Sequence, residues 1–105
     1  MKKRIILSLL VAILIIPAIS ACSSSTPDSF TVGIVTTASS MEAVIVGIKE
    51  GMAEYGYVEG ENITYIYNGP KTGDALNVEL TALVEADVDL LISLATPAAM
   101  AAQKA

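Results

Sequence analysis

Two short segments of small and hydroxyl-bearing residues are the best candidates for binding chemistry. Residues 36–40 read Thr-Thr-Ala-Ser-Ser, and residues 95–99 read Ala-Thr-Pro-Ala-Ala. Each leads directly into a predicted helix, so its backbone amides would lie at a helix N-terminus, where the dipole favours a carboxylate or phosphate. An alternative stays open, in which Ser39 and Thr96 only cap their helices. The candidate ligand-binding residues are therefore Thr37, Ser39, Ser40, Thr96, Pro97 and Ala98.

The rest of the chain offers little catalytic chemistry. It has no histidine and a single cysteine, so it lacks the usual nitrogen and sulfur metal ligands and a histidine base. Asp87 and Asp89 bracket the start of the third predicted strand, and Glu59 and Glu61 precede the second, which places both pairs at the edge opposite the two candidate segments. The glycines form neither a dinucleotide fingerprint nor a P-loop. We therefore expect no enzyme activity, no cofactor and no metal site.

Hydrophobic periodicity predicts the elements that position these segments. Short β-rich runs predict strands at residues 30–36, 63–67 and 88–94. Helical spacing of apolar residues predicts helices at 41–55 and 74–86, and Thr96-Pro97 opens a third. Ser39 and Glu42 have the form of a capping box at the first helix. Gly56 is placed to end that helix, and Gly60 to make the following turn.

The order β-α-β-α-β-α predicts an α/β fold, a three-layer parallel sheet with helices on both faces. The strands fit a 2-1-3 order, with the mixed second strand at an edge. The third strand is the most continuously apolar, as expected of a strand buried on both faces. Connectivity then reverses between the first and third strands. The crevice at their carboxyl ends, where residues 36–40 and 95–99 meet, is the expected ligand site.

Cys22 lies at the end of a segment with the features of a secretory signal. Lys2-Lys3-Arg4 precede an apolar run from residue 5 to 16, followed by Pro17 and small residues. A signal that stops at cysteine resembles the bacterial lipoprotein lipobox, which implies that Cys22 is lipidated. Two alternatives stay open: an ordinary signal peptide cut at Ala21, and an uncleaved membrane anchor. We expect a signal peptide over 1–21, a flexible tether over 22–29 and a binding domain over 30–105.

The predicted mature chain is strongly acidic. All eleven acidic residues and only three of the six basic ones lie in residues 22–105, which gives a net charge of −8. A domain of this charge is a poor partner for nucleic acid or for an anionic membrane surface. The last eight residues, AAMAAQKA, are strong helix formers and stop without a closing turn. We therefore expect the chain to be a fragment of a longer protein.

Two stretches, 54–70 and 84–99, resemble the substrate-binding lipoproteins of ABC importers in the family linked to tryptophan and tyrosine uptake. The shared features are a Gly-Tyr-x-x-Gly turn after a helix, an asparagine before the second strand, a Val-Asp-Leu third strand and a Thr-Pro-Ala helix start. Here the matching positions are Gly56, Tyr57, Gly60, Asn62, Val88, Asp89, Leu90, Thr96, Pro97 and Ala98. The resemblance implies a periplasmic-binding-protein type I fold, of which residues 30–105 form part of the first lobe.

The resemblance also implies a function. We expect a lipid-anchored receptor on the periplasmic or extracellular face of the cell membrane, which delivers a small molecule to an ABC permease. The chain lacks the His-Pro segment that aromatic-amino-acid binders of this kind often carry after the first strand. The expected solute is therefore the broader class of amino-acid-like or other carboxylate-bearing molecules. The expected partners are this solute, the permease and the membrane, without nucleic acid. The alternative is a non-receptor lipoprotein whose α/β domain binds a protein.

Overall fold

The computed structural model describes residues 28–105. The predicted signal peptide, Cys22 and residues 22–27 of the tether lie outside this range. The elements are β1 (Phe30–Thr36), a 3-10 turn (Ser39–Met41), α1 (Glu42–Glu54), β2 (Ile63–Ile66), α2 (Gly73–Glu85), β3 (Leu90–Leu94) and α3 (Thr96–Ala102). The predicted elements are therefore all present, with β3 beginning two residues later than its apolar run.

The three strands form one parallel sheet in the order β2-β1-β3. β1 lies in the centre, where Phe30 pairs with Ile63 of β2 and Val32 pairs with Leu90 of β3. This arrangement confirms the predicted α/β fold and the 2-1-3 order. Alternation along β1 sends successive side chains to opposite faces of the sheet, and a separate apolar cluster lies on each face.

One cluster joins β1 to α1, and the other joins it to α2 and α3. The first contains Val32, Ile34, Ile45 and Ile63. The second contains Val35, Leu76, Leu80, Leu83 and Ala98. In the second cluster α2 packs so closely on β1 that a Cβ at Gly33 would lie 3.0 Å from Leu83 Cδ2. Glycine at this position thus permits the close contact between helix and sheet.

The prediction that β3 is buried on both faces is wrong for residues 28–105. β3 has no buried residue, and Leu90 is 50% exposed. Its backbone pairs only with β1. On the α2 side Leu91 packs against the core, whereas on the α1 side the strand is only partly covered. An apolar sequence therefore occupies an edge position here, because burial depends on the elements that pack against a strand.

The loop between α1 and β2 is closed by Asn62. Its Oδ1 accepts a hydrogen bond from the Val58 N–H at 2.8 Å, and its Nδ2 donates one to the Gly56 carbonyl at 2.9 Å. Gly56 and Gly60 both have positive φ, of 91° and 86°, which confirms their predicted roles in ending the helix and turning the chain. The Gly-Tyr-x-x-Gly-x-Asn pattern thus has a structural explanation.

We expect Asn62→Ala to lower the free energy of unfolding by about 1–3 kcal/mol, because the loop loses two hydrogen bonds. Asn62→Asp keeps the acceptor for Val58 and loses only the donor, so it should cost less than the alanine variant. Urea denaturation followed by circular dichroism measures both. Asn77→Ala, on the exposed surface of α2, is the matched control. Equal stability of the Asn62 and Asn77 variants would contradict the role of this loop.

Candidate functional site

The carboxyl ends of β1 and β3 lie side by side. Thr36, the last residue of β1, pairs with Leu94, the last residue of β3. The segments 36–40 and 95–99 therefore start from adjacent positions at one edge of the sheet. From β1 the chain crosses to β2 on one side, and β3 lies on the other. This is the point of reversed connectivity at which open α/β sheets bind ligands.

The first segment is folded around Thr36. The buried Thr36 hydroxyl accepts a hydrogen bond from the Ala38 N–H and donates one to the Ala38 carbonyl, both at 3.3 Å. A 3-10 turn then runs over Ser39–Met41. Thr37 is half-buried, and Ser39 and Ser40 are exposed, so three of the candidate side chains lie at the surface of this edge.

The predicted capping box is wrong. α1 begins at Glu42 with Met41 at its N-cap, and no side chain makes a cap hydrogen bond. The Ser39 carbonyl accepts a hydrogen bond from the Glu42 N–H and so belongs to the 3-10 turn. This turn separates Ser39 from the start of the α-helix. Ser39 is therefore not engaged in capping α1.

The second segment contains a residue in an unusual conformation. Ala95 has φ 74° and ψ 146°, a region that residues with a Cβ rarely adopt and that costs about 1–3 kcal/mol. It is the N-cap residue of α3, which makes the prediction of a threonine cap wrong, and no side chain caps this helix. Thr96 and Pro97 follow it as exposed residues. The chain turns sharply here so that α3 can pack back on the sheet.

Ala98 differs from the other five candidates. It is 0% exposed and belongs to the core cluster formed with α2. Its side chain is buried and cannot contact a ligand. Ala98 therefore has a role in core packing. The structure thus brings Thr37, Ser39, Ser40, Thr96 and Pro97 to the crevice edge and removes Ala98 from it.

A third segment, the loop of residues 67–72 between β2 and α2, is tied to the first. The Lys71 N–H donates a hydrogen bond to the Thr36 carbonyl at 2.9 Å, and its Nζ donates one to the Asn68 carbonyl at 2.7 Å. Asn68 Nδ2 donates to Glu79 Oε1 at 2.7 Å. The Lys71–Thr36 bond holds the β2–α2 loop against the end of β1, and the Asn68–Glu79 bond joins the loop to α2. No local pattern signals the Lys71–Thr36 bond, because its partners are 35 positions apart in sequence.

Tyr65 of β2 and Tyr67, just after it, carry shielded hydroxyls. Tyr65 Oη and Tyr67 Oη have almost no solvent contact and no hydrogen-bond partner of good geometry among residues 28–105. Burial raises the pKa of both, and the carboxylates of Glu59 and Glu42 raise the pKa of Tyr65 and Tyr67 respectively. Lys49 Nζ lies 4.9 Å from the Tyr65 ring centroid and pairs with Glu59 at 3.0 Å. This group of side chains packs α1 onto β2.

We expect the free energy of unfolding to fall at alkaline pH. The folded state raises the pKa of Tyr67 above its ordinary value of 10.0, so it favours the neutral hydroxyl. The contribution of Tyr67 to the free energy of unfolding is complete below its ordinary pKa. It is lost as the pH rises through the pKa of Tyr67 in the folded state. Tyr67→Phe should reduce this loss, and Tyr55→Phe, at a residue that is 84% exposed, should not. Urea titrations at a series of pH values test this, and identical profiles for both variants would contradict it.

An apolar groove lies away from the crevice. It has a volume of about 420 Å³ and is found at the amino ends of the strands, beside α1. We call it the β3 trough. Its lining consists of Phe30, Val32, Met52, Tyr57, Ile63, Asp89 and Leu90. No residue of the two candidate segments lines this groove, which is mostly apolar.

Two further observations concern residues 28–105. None of their helices is long and apolar enough to cross a membrane. They also contain no group of three histidine, cysteine, aspartate or glutamate residues placed to hold a metal ion. Comparisons with protein-family models, with curated proteins and with solved structures found no match.

Proposed function

We propose that this chain is a lipid-anchored extracytoplasmic receptor that binds a small molecule and delivers it to an ABC importer. The observation that carries the proposal is the reversal of connectivity between β1 and β3, with the segments 36–40 and 95–99 starting at adjacent positions of the sheet edge. Open parallel sheets bind ligands at this position. Fold alone does not define function, so the lipobox and the motif of residues 54–70 supply the remaining support.

The solute that this edge suits best is a carboxylate-bearing molecule, such as an amino acid. Thr37, Ser39, Ser40 and Thr96 offer neutral hydroxyls at the sheet edge, with the start of α1 beside them. Helix starts favour negative charge. Binding of this kind needs no metal, cofactor or catalytic residue. The net charge of −8 for residues 22–105 argues against nucleic acid as a partner.

Ligand binding should raise the melting temperature of the full-length protein in detergent. A ligand at about a hundred times its Kd adds about 2.7 kcal/mol to the free energy of unfolding. A panel of amino acids, nucleosides and small carboxylates at millimolar concentration, read by circular dichroism, is the test. Absence of any shift across the panel would overturn the receptor proposal.

Variants then locate the binding site of a positive ligand. Thr96→Val removes the hydroxyl at nearly constant shape and should weaken binding by about tenfold, the loss of one hydrogen bond. Thr64→Val is the matched control, because Thr64 is exposed on β2 near its amino end. If both variants bind equally well, the ligand does not contact the Thr96 hydroxyl.

A second candidate is a lipoprotein whose α/β domain binds another protein. The exposed apolar lining of the β3 trough, with Leu90 half-exposed, favours it. Co-purification of a stable protein partner without any permease would support this candidate over the receptor.

A further inference from the structure

The Asn68-Gly69 pair lies in the β2–α2 loop, at the carboxyl edge of the sheet. The Asn68 side chain is exposed. The Gly69 N–H donates no backbone hydrogen bond within residues 28–105. Gly69 has φ 79°, and a Cβ added to it would meet no atom within 4 Å. The backbone nitrogen of Gly69 is therefore free of a backbone partner, and the space beside this residue is open.

An asparagine followed by glycine loses its side-chain amide without an enzyme, and asparagine is among the thermolabile residues. The deprotonated Gly69 nitrogen attacks Cγ of Asn68 and forms a five-membered succinimide, while the Cγ–Nδ2 bond breaks and the amide group leaves as ammonia. Water then opens the ring at either carbonyl and gives aspartate or isoaspartate. One water is consumed and one ammonia is released. Both reacting groups belong to adjacent residues, so the reaction needs no partner, oxidant or cofactor.

The other two asparagines of the chain are poorer candidates for this reaction. Asn62 is followed by Ile63, and Asn77 is followed by Val78. These β-branched side chains are stiff and crowd the backbone nitrogen that would have to attack, whereas glycine has no side chain. The Asn62 amide is also held by two hydrogen bonds in its loop. Val78 lies within α2, where its N–H takes part in the helix.

Loss of the amide would change the contacts of the loop. Asn68 Nδ2 donates a hydrogen bond to Glu79 Oε1 of α2 at 2.7 Å, and Lys71 Nζ donates one to the Asn68 carbonyl at 2.7 Å. The product carries a carboxylate in place of this donor, so it repels Glu79 and attracts Lys71. Residue 68 thus exchanges a partner on α2 for a partner within its own loop.

We propose that Asn68 is a site of spontaneous deamidation, and that its conversion releases the β2–α2 loop from α2. The loop is held to the end of β1 through the Lys71 N–H, which donates to the Thr36 carbonyl at 2.9 Å. The modification therefore adds a negative charge to a loop that contacts the carboxyl edge of the sheet. It advances with time and with rising pH, because the Gly69 nitrogen must lose its proton.

Peptide mapping of the full chain tests this inference independently of solute binding. The protein is purified in detergent, incubated for days at mildly alkaline pH and digested briefly with trypsin at slightly acidic pH, where the reaction is slow. Cleavage after Lys49 and Lys71 leaves Asn62 and Asn68 in one peptide, so fragment masses compare the two directly. Electron-transfer fragmentation distinguishes aspartate from isoaspartate. We expect Asn68 to lose its amide progressively, and faster at higher pH, while Asn62 and Asn77 keep theirs.

Variants of the loop complete the test. Asn68→Gln keeps an amide but needs a larger ring, so it should show no loss of amide at this position. Asn68→Asp imitates one product and should lower the midpoint of urea denaturation, because the donor to Glu79 is lost. Adding Glu79→Gln should restore the midpoint, because the glutamine amide donates to the new carboxylate. Asn77→Asp, on the exposed surface of α2, adds the same charge and should lower the midpoint less.

Two sets of results would contradict the inference. Loss of the amide at Asn68 that is no faster than at Asn62 or Asn77 would overturn the proposed site. Equal midpoints for Asn68→Asp and Asn77→Asp, or no recovery on adding Glu79→Gln, would overturn the release of the loop from α2.

Discussion

Leu80→Ala should remove a large part of the stability of the domain. Leu80 is 1% exposed and packs with Val35 and Ala98 in the cluster between β1, α2 and α3. Truncating a buried leucine to alanine lowers the free energy of unfolding by about 2–5 kcal/mol. The cost is the sum of the lost transfer free energy and the cost of the cavity that remains. A domain of this size has a total stability of about 4–11 kcal/mol. The variant is therefore expected to be partly or largely unfolded at 37 °C.

Leu90→Ala is the matched control for this substitution. The same atoms are removed from a side chain that is 50% exposed, so the cost should be less than half as large. Urea denaturation of the full chain, with circular dichroism as the readout, should give a lower midpoint for Leu80→Ala at an unchanged slope. If Leu90→Ala were as costly as Leu80→Ala, the trough would be better packed than the structure of residues 28–105 indicates.

Cys22→Ser should release the protein from the membrane. The substitution removes the only thiol of the chain, and with it the proposed site of lipid attachment. Two acyl chains hold a protein firmly at a bilayer, whereas a protein without acyl chains depends on weak attraction to the membrane surface. A domain of net charge −8 gains no such attraction from anionic lipid.

Membrane fractionation and metabolic labelling with an alkyne-tagged fatty acid measure this effect. The unchanged chain should incorporate label and sediment with membranes, and Cys22→Ser should do neither. Ser24→Ala, two residues further along, is the control and should behave as the unchanged chain. The two alternatives give different results: an ordinary signal peptide leaves both proteins soluble, and an uncleaved anchor leaves both in the membrane without label.

The elements were predictable because their signals are local. The pattern of apolar residues predicted the three strands, α1 and α2, and Thr96-Pro97 predicted α3. Gly56 and Gly60 marked a turn through their backbone freedom. The parallel sheet and its 2-1-3 order followed from the order of elements and the rules of crossover connections. Helix starts were less predictable. Ser39 and Thr96 have capping side chains, but the 3-10 turn and the conformation of Ala95 moved the helix N-caps to other residues.

By itself, the sequence determined which segments become strands and helices, their order, and the candidate anchor at Cys22, since each depends on neighbours within a few residues. Only the tertiary structure decided which face each side chain occupies. It buried Ala98 under α2, tied Lys71 to Thr36, and left the apolar β3 open beside α1. The physical reason is that burial and long-range hydrogen bonds depend on what packs against a segment. A strand rich in leucine carries the same local pattern whether it is covered or exposed.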